Sequence, residues 1–356
     1  MKILVLTRYS PMGSSSRYRF YKYIPVLQQK GFDFTVHELL GDNYINSLYN
    51  NTQLPIYEII KKYVQRIFIL LAKNRYDIIW LQQEAFPWIP SIFERALLKT
   101  NIPIVVDYDD AFFHRYDRHN SKIVRFFLKN KIDKIMIHSN VVVAGNQYLA
   151  DRAIKNGSKK VVILPTVIDI NLYHTRFQSE KKTFTIGWIG SPHNAKYVLS
   201  IQSALKEVFN NGDVKIILVG SGEIKIDSLQ LEIKKWNEST EVEEIRNFDV
   251  GIMPLEDNYW ERGKCGFKLI QYMACSIPVI ASPVGVNKQI VKHGVNGFLA
   301  ENDNEWIKYF LILKNNEKLR TEMGRNGRTL VEENFTLQIT SPQLEQIFRD
   351  VHVLKK

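Results

Sequence analysis

The sequence predicts an α/β protein built from two doubly wound halves. Three observations predict it. Strand-like and helix-like segments alternate along nearly all of the 356 residues. Each half opens with a strand, a polar loop and a helix. The length suits about two domains of roughly 150 residues each. Two such halves facing each other place strand C-terminal ends, where ligands bind, at a shared central cleft.

The first half begins with KILVLT at 2–7, a strand. Its apolar run is too short for a secretory signal, and Arg8 follows at once. Arg8 to Ser16 is a loop holding Gly13 and three serines. Such a loop can bind phosphate or substrate, although it is not a G-x-G-x-x-G. A helix from about Arg17 to Lys30 is stopped by Gly31, and Phe32 to Leu39 is the next strand. Residues 56–75 form a basic helix, 77–81 a strand, 90–99 a helix and 103–106 a strand. Residues 118–134 are again basic and apolar. Ile135 to Val143 and Val161 to Leu164 are predicted strands, with a helix over 147–155 between them.

Periodicity is lost over 165–182, which reads as the interdomain linker. The second half starts at Phe184 with FTIGWIG, then SPHNAKY, then a helix to about Phe209. Lys215 to Val219 is a strand that closes on Gly220-Ser221-Gly222. The alternation continues to about Val331, and 335–352 is a terminal helix. The expected division is therefore 1–170, 171–335 and a C-terminal helix over 336–356 that packs back toward the first domain.

The formal net charge is +11, and it is unevenly placed. Residues 1–170 carry 24 Lys and Arg against 14 Asp and Glu, while the remainder is nearly neutral. This asymmetry points to an acidic partner at the first half: anionic lipid, an anionic acceptor or nucleic acid. No recognisable nucleic-acid module accompanies the charge, so nucleic acid is the least expected. Lys61, Lys62 and Arg66 lie among Ile59, Ile60 and Phe68, and Lys122, Arg125 and Lys129 among Ile123, Phe126 and Phe127. These helices mark an acceptor or membrane face; the alternative is two sheet-covering helices whose charges face water. Two cysteines make no disulfide framework and fit a reducing compartment. The longest apolar run, IFILLA at 67–72, is far below the roughly 20 residues a membrane span needs. The expected location is cytoplasmic, peripheral at the inner face of a membrane.

The most informative stretch is 247–285. A strand from Val250 leads to Arg262-Gly263-Lys264-Cys265-Gly266, and Phe267 to Ala274 has helical spacing. Ser276-Ile277-Pro278 breaks that helix before the next strand. A glycine-punctuated loop carrying Lys264 and opening into a helix N-terminus can hold phosphate. The alternative is a surface loop with a solvated lysine.

GKCGFKLIQYMACSIPVIAS resembles the donor-binding segment of retaining glycosyltransferases of the GT-B fold, in particular family 4. IGWIGSPHN, LVGSG, FDVGIMPL and HGVNGFLA follow that family in order and spacing. The first half is similar more loosely, through the loop after the first strand, SRYRFYKYIPVLQQKG and VVDYDDAF. The resemblance implies two Rossmann-like domains and transfer of a sugar from a nucleotide-sugar to a glycan or lipid-linked acceptor, in cell-surface polysaccharide biosynthesis. It implies donor contacts at Gly13, Gly190, Ser191, Gly220, Lys264, Gly266, Phe267, Lys268 and Gln271, with Lys264 also assisting the departure of the diphosphate. It places Asp109 and Asp110 beside sugar or acceptor, with no metal or other cofactor.

Two family glutamates fall on Gly263 and Gln271, and a third on Gln289. Gln271 keeps an acceptor for a ribose hydroxyl, while the altered slots also fit a GT-B-like protein that binds without turnover. DYDD at 107–110 has a rival reading as the Asp-x-Asp metal site of the GT-A fold, and another as caps of the following helix. His114 and His138 read as structural, Cys265 as a small packed residue, and no Cys/His cluster has zinc spacing.

Overall fold

The computed structural model describes residues 1–50, 52–99, 101–175 and 183–353. The part of the expected linker at 176–182 lies outside the described residues, as do 354–356. The chain forms two compact units. The first comprises Met1–Val167, Arg262–Cys265 and Leu337–Lys356; the second comprises Ile168–Glu261 and Gly266–Thr336.

The first unit holds six parallel strands: β1 (Lys2–Tyr9), β2 (Asp33–Leu40), β3 (Ile78–Gln82), β4 (Ile104–Tyr108), β5 (Val141–Ala144) and β6 (Val161–Ile163). Their order is β2-β1-β3-β4-β5-β6. Ile3–Leu6, Ile78–Leu81 and Ile104–Tyr108 are buried without alternation, as a parallel sheet covered on both faces requires. Val5 pairs with Val36 on one side and Trp80 on the other. Trp80 packs tilted against Phe20 at 4.3 Å and edge-on to Phe348 at 5.2 Å. Phe348 belongs to the helix Leu337–Val353, which is also tied down by the Tyr23 hydroxyl against Thr340 Oγ1 at 2.8 Å.

The second unit holds β7 (Phe184–Ile189), β8 (Val214–Val219), β9 (Leu231–Lys234), β10 (Val250–Met253), β11 (Val279–Ala281) and β12 (Gly297–Leu299). They are all parallel, in the order β12-β11-β10-β7-β8-β9. Read within the unit, this is the 3-2-1-4-5-6 order of a dinucleotide-binding fold. The order reverses between β7 and β10, and in the first unit between β1 and β3. Ligands of open α/β sheets bind outside the strand ends at such points.

Several expectations are corrected. The helix expected over 17–30 is a π-helical segment, Arg17–Tyr21, followed by a short helix, Ile24–Gln28. Pro25, which lacks an N–H, sits in the first turn of the second piece. The basic stretch 118–134 is two helices, Lys122–Leu128 and Lys131–His138. Ile135 to His138 is therefore helix, because Ile132, Ile135 and Met136 are buried at helical spacing, and β5 starts only at Val141. The helix Asp42–Asn50 and the short strands β9 and β12 were not anticipated. Residues 262–265, assigned by sequence to the second domain, pack with the first unit.

Arg66 is not on an outer face. It is fully buried in the helix Ile56–Leu71. Its guanidinium donates to the carbonyls of Thr7 and His37, each at 2.6 Å, and of Ala85 at 3.2 Å. A planar five-donor group suits three converging carbonyls at strand ends.

Candidate functional site

In the second unit, glycines and one lysine converge at the strand ends. Gly190 follows β7, and its N–H donates to the Val219 carbonyl at 3.0 Å. A Cβ there would lie 2.6 Å from the Trp188 ring and 2.9 Å from Lys268 Cε. Gly220 follows β8 at φ +76°, and a Cβ would lie 2.4 Å from the Gly190 carbonyl oxygen. Only glycine lets these backbones close up. Ser191 Oγ accepts from Asn194 Nδ2 at 3.0 Å. Lys268 Nζ stands 5.6 Å over the Trp188 ring. The helix Phe267–Ala274 begins at Gly266, which has φ +66°, and no side chain caps it. A helix N-terminus, glycine backbone and an ammonium gathered at one sheet end suit a phosphate group. Half-buried Phe267 packs against the core beneath them.

Gln271 is turned elsewhere. It is buried, and its Nε2 donates to Glu241 Oε1 at 2.7 Å and to the Tyr173 hydroxyl at 3.1 Å. The expected ribose contact is therefore corrected to a role within this buried polar cluster. The geometry also accounts for the departure from glutamate, since a second carboxylate would face Glu241. Gln271→Glu is expected to cost about 2–4 kcal/mol at neutral pH. Burial beside Glu241 would raise the new carboxyl's pKa in the folded state. The penalty, measured against wild type by urea denaturation at each pH, should grow from about pH 4 toward 7. A pH-independent change of a few tenths of a kcal/mol would refute this.

In the first unit, Arg262–Cys265 forms a strap. Asn146 Nδ2 donates to the carbonyls of Gly263 at 2.8 Å and Lys264 at 3.1 Å. The Cys265 thiol donates to the Asp109 carbonyl at 3.0 Å. Burial pushes that thiol's pKa well up, so it is a packed anchor rather than a nucleophile. A Cβ on Gly263 would lie 2.5 Å from the Ala111 Cβ. The glutamate of the resembled family has no room at this position. The strap holds half-buried Lys264 in the same unit as Asp109 and Asp110.

The DYDD run divides by role. Asp107 is a buried β4 residue gripped by Arg19, whose Nε and Nη2 lie 2.8 and 3.0 Å from its two oxygens. It caps no helix. Asp109 and Asp110 are half-buried beyond the strand end, and Asp109 Oδ1 accepts from Gln83 Nε2 at 3.1 Å. Gln83 follows β3 with φ +61°, a conformation a side chain rarely adopts. Gly13 has an ordinary φ, but its Cβ would lie 2.5 Å from the Tyr9 Cβ. The neighbouring serines hold β3: Ser16 Oγ donates to Gln82 Oε1 at 2.7 Å, and Gln82 Nε2 donates to Ser15 Oγ at 2.8 Å.

Sequence reasoning missed a buried ionic network beside these strand ends. Lys131 Nζ lies 2.6 Å from Glu84 and 3.2 Å from Glu94, and it donates to the Phe86 carbonyl. Arg8 Nη1 reaches Glu84 at 3.1 Å, and the Tyr116 hydroxyl donates to both Glu84 oxygens. Burial alone would raise the Glu84 pKa; Lys131 and Arg8 outweigh it and hold the group below its usual value. Glu94 is raised by burial, against Lys131. The available signal was the polar run Gln82-Gln83-Glu84 directly after an apolar strand.

His114 lies 2.9 Å from both Asp117 Oδ1 and the Tyr148 hydroxyl. The nominated basic residues separate. Lys61, Lys122 and Lys129 are exposed; Lys62 pairs with Glu38 at 3.1 Å; Arg125 donates to the carbonyls of His119 and Asn120. Among the described residues no group of three or more His, Cys, Asp or Glu could hold a metal ion.

Residues 183–315 match the family model described as glycosyl transferases group 1. An uncharacterized glycosyltransferase of Methanocaldococcus jannaschii is 24% identical over 337 residues, covering 84% of this chain and 85% of that protein. The capsular polysaccharide biosynthesis glycosyltransferase CapM of Staphylococcus aureus is 27% identical over 181 residues, 46% of each chain. Anabaena HepE, solved in complex with UDP-glucose, superposes with a TM-score of 0.71 at 16% identity, over 98% of this chain and 100% of that one. The two six-stranded parallel sheets are those of the GT-B fold, which sets aside the GT-A reading of DYDD. The chain is a glycosyltransferase of the GT-B fold, and the match to the group 1 model lies, the strap aside, within its second unit. Its relatives include a protein of polysaccharide biosynthesis.

Proposed function

We propose that the protein transfers a sugar, with retention, from a nucleotide-sugar to a glycan or lipid-linked acceptor in cell-surface polysaccharide biosynthesis. The observation that carries this reading is the gathering of Gly190, Gly220, the Gly266-capped helix and Lys268 at the switch point of the second sheet. Negative charge develops on the leaving diphosphate, and preorganised donors aimed at it lower the barrier most. The UDP-glucose complex of HepE supports a nucleotide-sugar donor, and the CapM likeness supports a glycan acceptor. Asp109 and Asp110, in the first unit, are assigned to sugar or acceptor hydroxyls, and Lys264 to the diphosphate. Saturation-transfer NMR against a panel of nucleotide-sugars tests donor binding. Strong transfer to one member is expected, and none to any would overturn the reading.

With lysines and backbone amides neutralising the diphosphate, no metal is needed. Release of nucleoside diphosphate should therefore persist in excess EDTA at an undiminished rate. Loss of turnover in EDTA, with recovery on adding manganese, would transfer the electrostatic role to a cation.

A further inference from the structure

The helix Ile56–Leu71 turns its apolar side outward. Tyr57, Ile60, Val64, Phe68 and Leu71 recur every three or four residues and are exposed, Tyr57 by 79% and Phe68 by 65%. The inward positions include Arg66 and Leu70. A sheet-covering helix has the opposite arrangement. The Tyr63 hydroxyl ties this helix to the Pro87 carbonyl at 3.0 Å. Directly beyond, Trp88 is exposed by 48%, and Ile92 and Phe93, in the first turn of the helix Ser91–Leu98, are each exposed by 62%. Trp88 stands edge-on to His119 at 5.7 Å. His119 leads into the helix Lys122–Leu128, where Ile123, Phe126 and Phe127 are again exposed. Apolar exposure on this scale marks an interaction surface.

We infer that this face of the first unit docks on an anionic lipid surface. Its exposed cations are Lys61 and Lys122, on the same two helices as the apolar side chains, and Lys129, which caps the second of them. Residues 1–170 carry nearly all of the net positive charge. Interleaved lysine, aromatic and aliphatic side chains are what a helix lying in a headgroup layer presents, and tryptophan favours that depth. A second copy of the chain is the poorer occupant, because a two-fold contact through this face would bring two positively charged patches together. Among the described residues no helix is long and apolar enough to cross a membrane, so the contact is peripheral and reversible. The inference is independent of the donor and acceptor chemistry.

Flotation of the full chain with vesicles tests it. Binding to equal-part phosphatidylglycerol and phosphatidylcholine vesicles is expected to exceed binding to pure phosphatidylcholine by about tenfold or more, and to fall as salt rises. The pair Tyr57→Ser and Phe68→Ser, at exposed positions, should lower binding by about tenfold, as should Lys61→Glu, Lys122→Glu and Lys129→Glu together. The control reversals Lys288→Glu, Lys308→Glu and Lys318→Glu, in the second unit, should leave binding within about twofold. Equal, negligible flotation with both vesicle types would overturn the proposal. So would control reversals as damaging as the test set. Sedimentation velocity showing a dimer that the Tyr57/Phe68 pair abolishes, without vesicle binding, would assign the face to a second copy instead.

Discussion

Lys131→Met is expected to remove about 3–5 kcal/mol of stability from the first unit. The methionine matches the length of the lysine stem but supplies no charge to Glu84 or Glu94, both fully buried. Glu84 keeps Arg8 and Tyr116, whereas Glu94 keeps the Ala85 N–H and no cation in an ion pair among the described residues. Glu94 would then hold its proton in the folded state. A carboxyl whose folded pKa lies above its unfolded value is stabilised below the unfolded value, about 4.3, and loses that stability as pH rises through the folded one. The deficit should therefore be small near about pH 4 and full at about pH 7. Urea denaturation of wild type and variant across this range is the measurement. Adding Glu94→Gln should recover part of the loss, because it removes the orphaned charge instead of leaving it buried. A single-variant deficit under about 1 kcal/mol at neutral pH would show that the network is not held by Lys131.

Lys264→Ala is expected to lower kcat/KM by about 30- to 1000-fold, equivalent to about 2–4 kcal/mol of transition-state stabilisation. The strap is fixed through the Gly263 and Lys264 carbonyls and the Cys265 thiol, none of which the substitution touches. Urea denaturation of both forms separates loss of chemistry from loss of fold. The defect should fall mainly on kcat, since the diphosphate gains its charge on leaving. A variant within threefold of wild type would remove Lys264 from the reaction and leave Lys268 as the candidate cation.

The alternation of strands and helices was legible because a parallel sheet covered on both faces reads as unbroken apolar runs such as IIWL and VVVA. The glycines at 190, 220 and 266 were legible because close backbone approach leaves no other residue type. Arg66 and Lys131 were not. Each sits in a basic segment that looks water-facing, and only the tertiary fold reveals carbonyls or carboxylates converging behind it. Gln271 was placed on a ribose by analogy with a glutamate. Its partner, Glu241, lies 30 positions away along the chain, at a spacing no local pattern marks. The strap was legible as a motif, but its allegiance was not. Asn146 and Asp109, which fasten it, are more than 100 residues distant.

The helix Leu337–Val353 has a consequence for biosynthesis. It completes the core around Trp80, yet it follows the whole second unit in the chain. The N-terminal unit, although made first, stays unfinished on the ribosome until the whole second unit has emerged. Trp80 and Tyr23 must wait without Phe348 and Thr340 until the intervening second unit has been made. A chain stalled or clipped before residue 337 would present an open apolar face, the kind of surface that chaperones hold and proteases find.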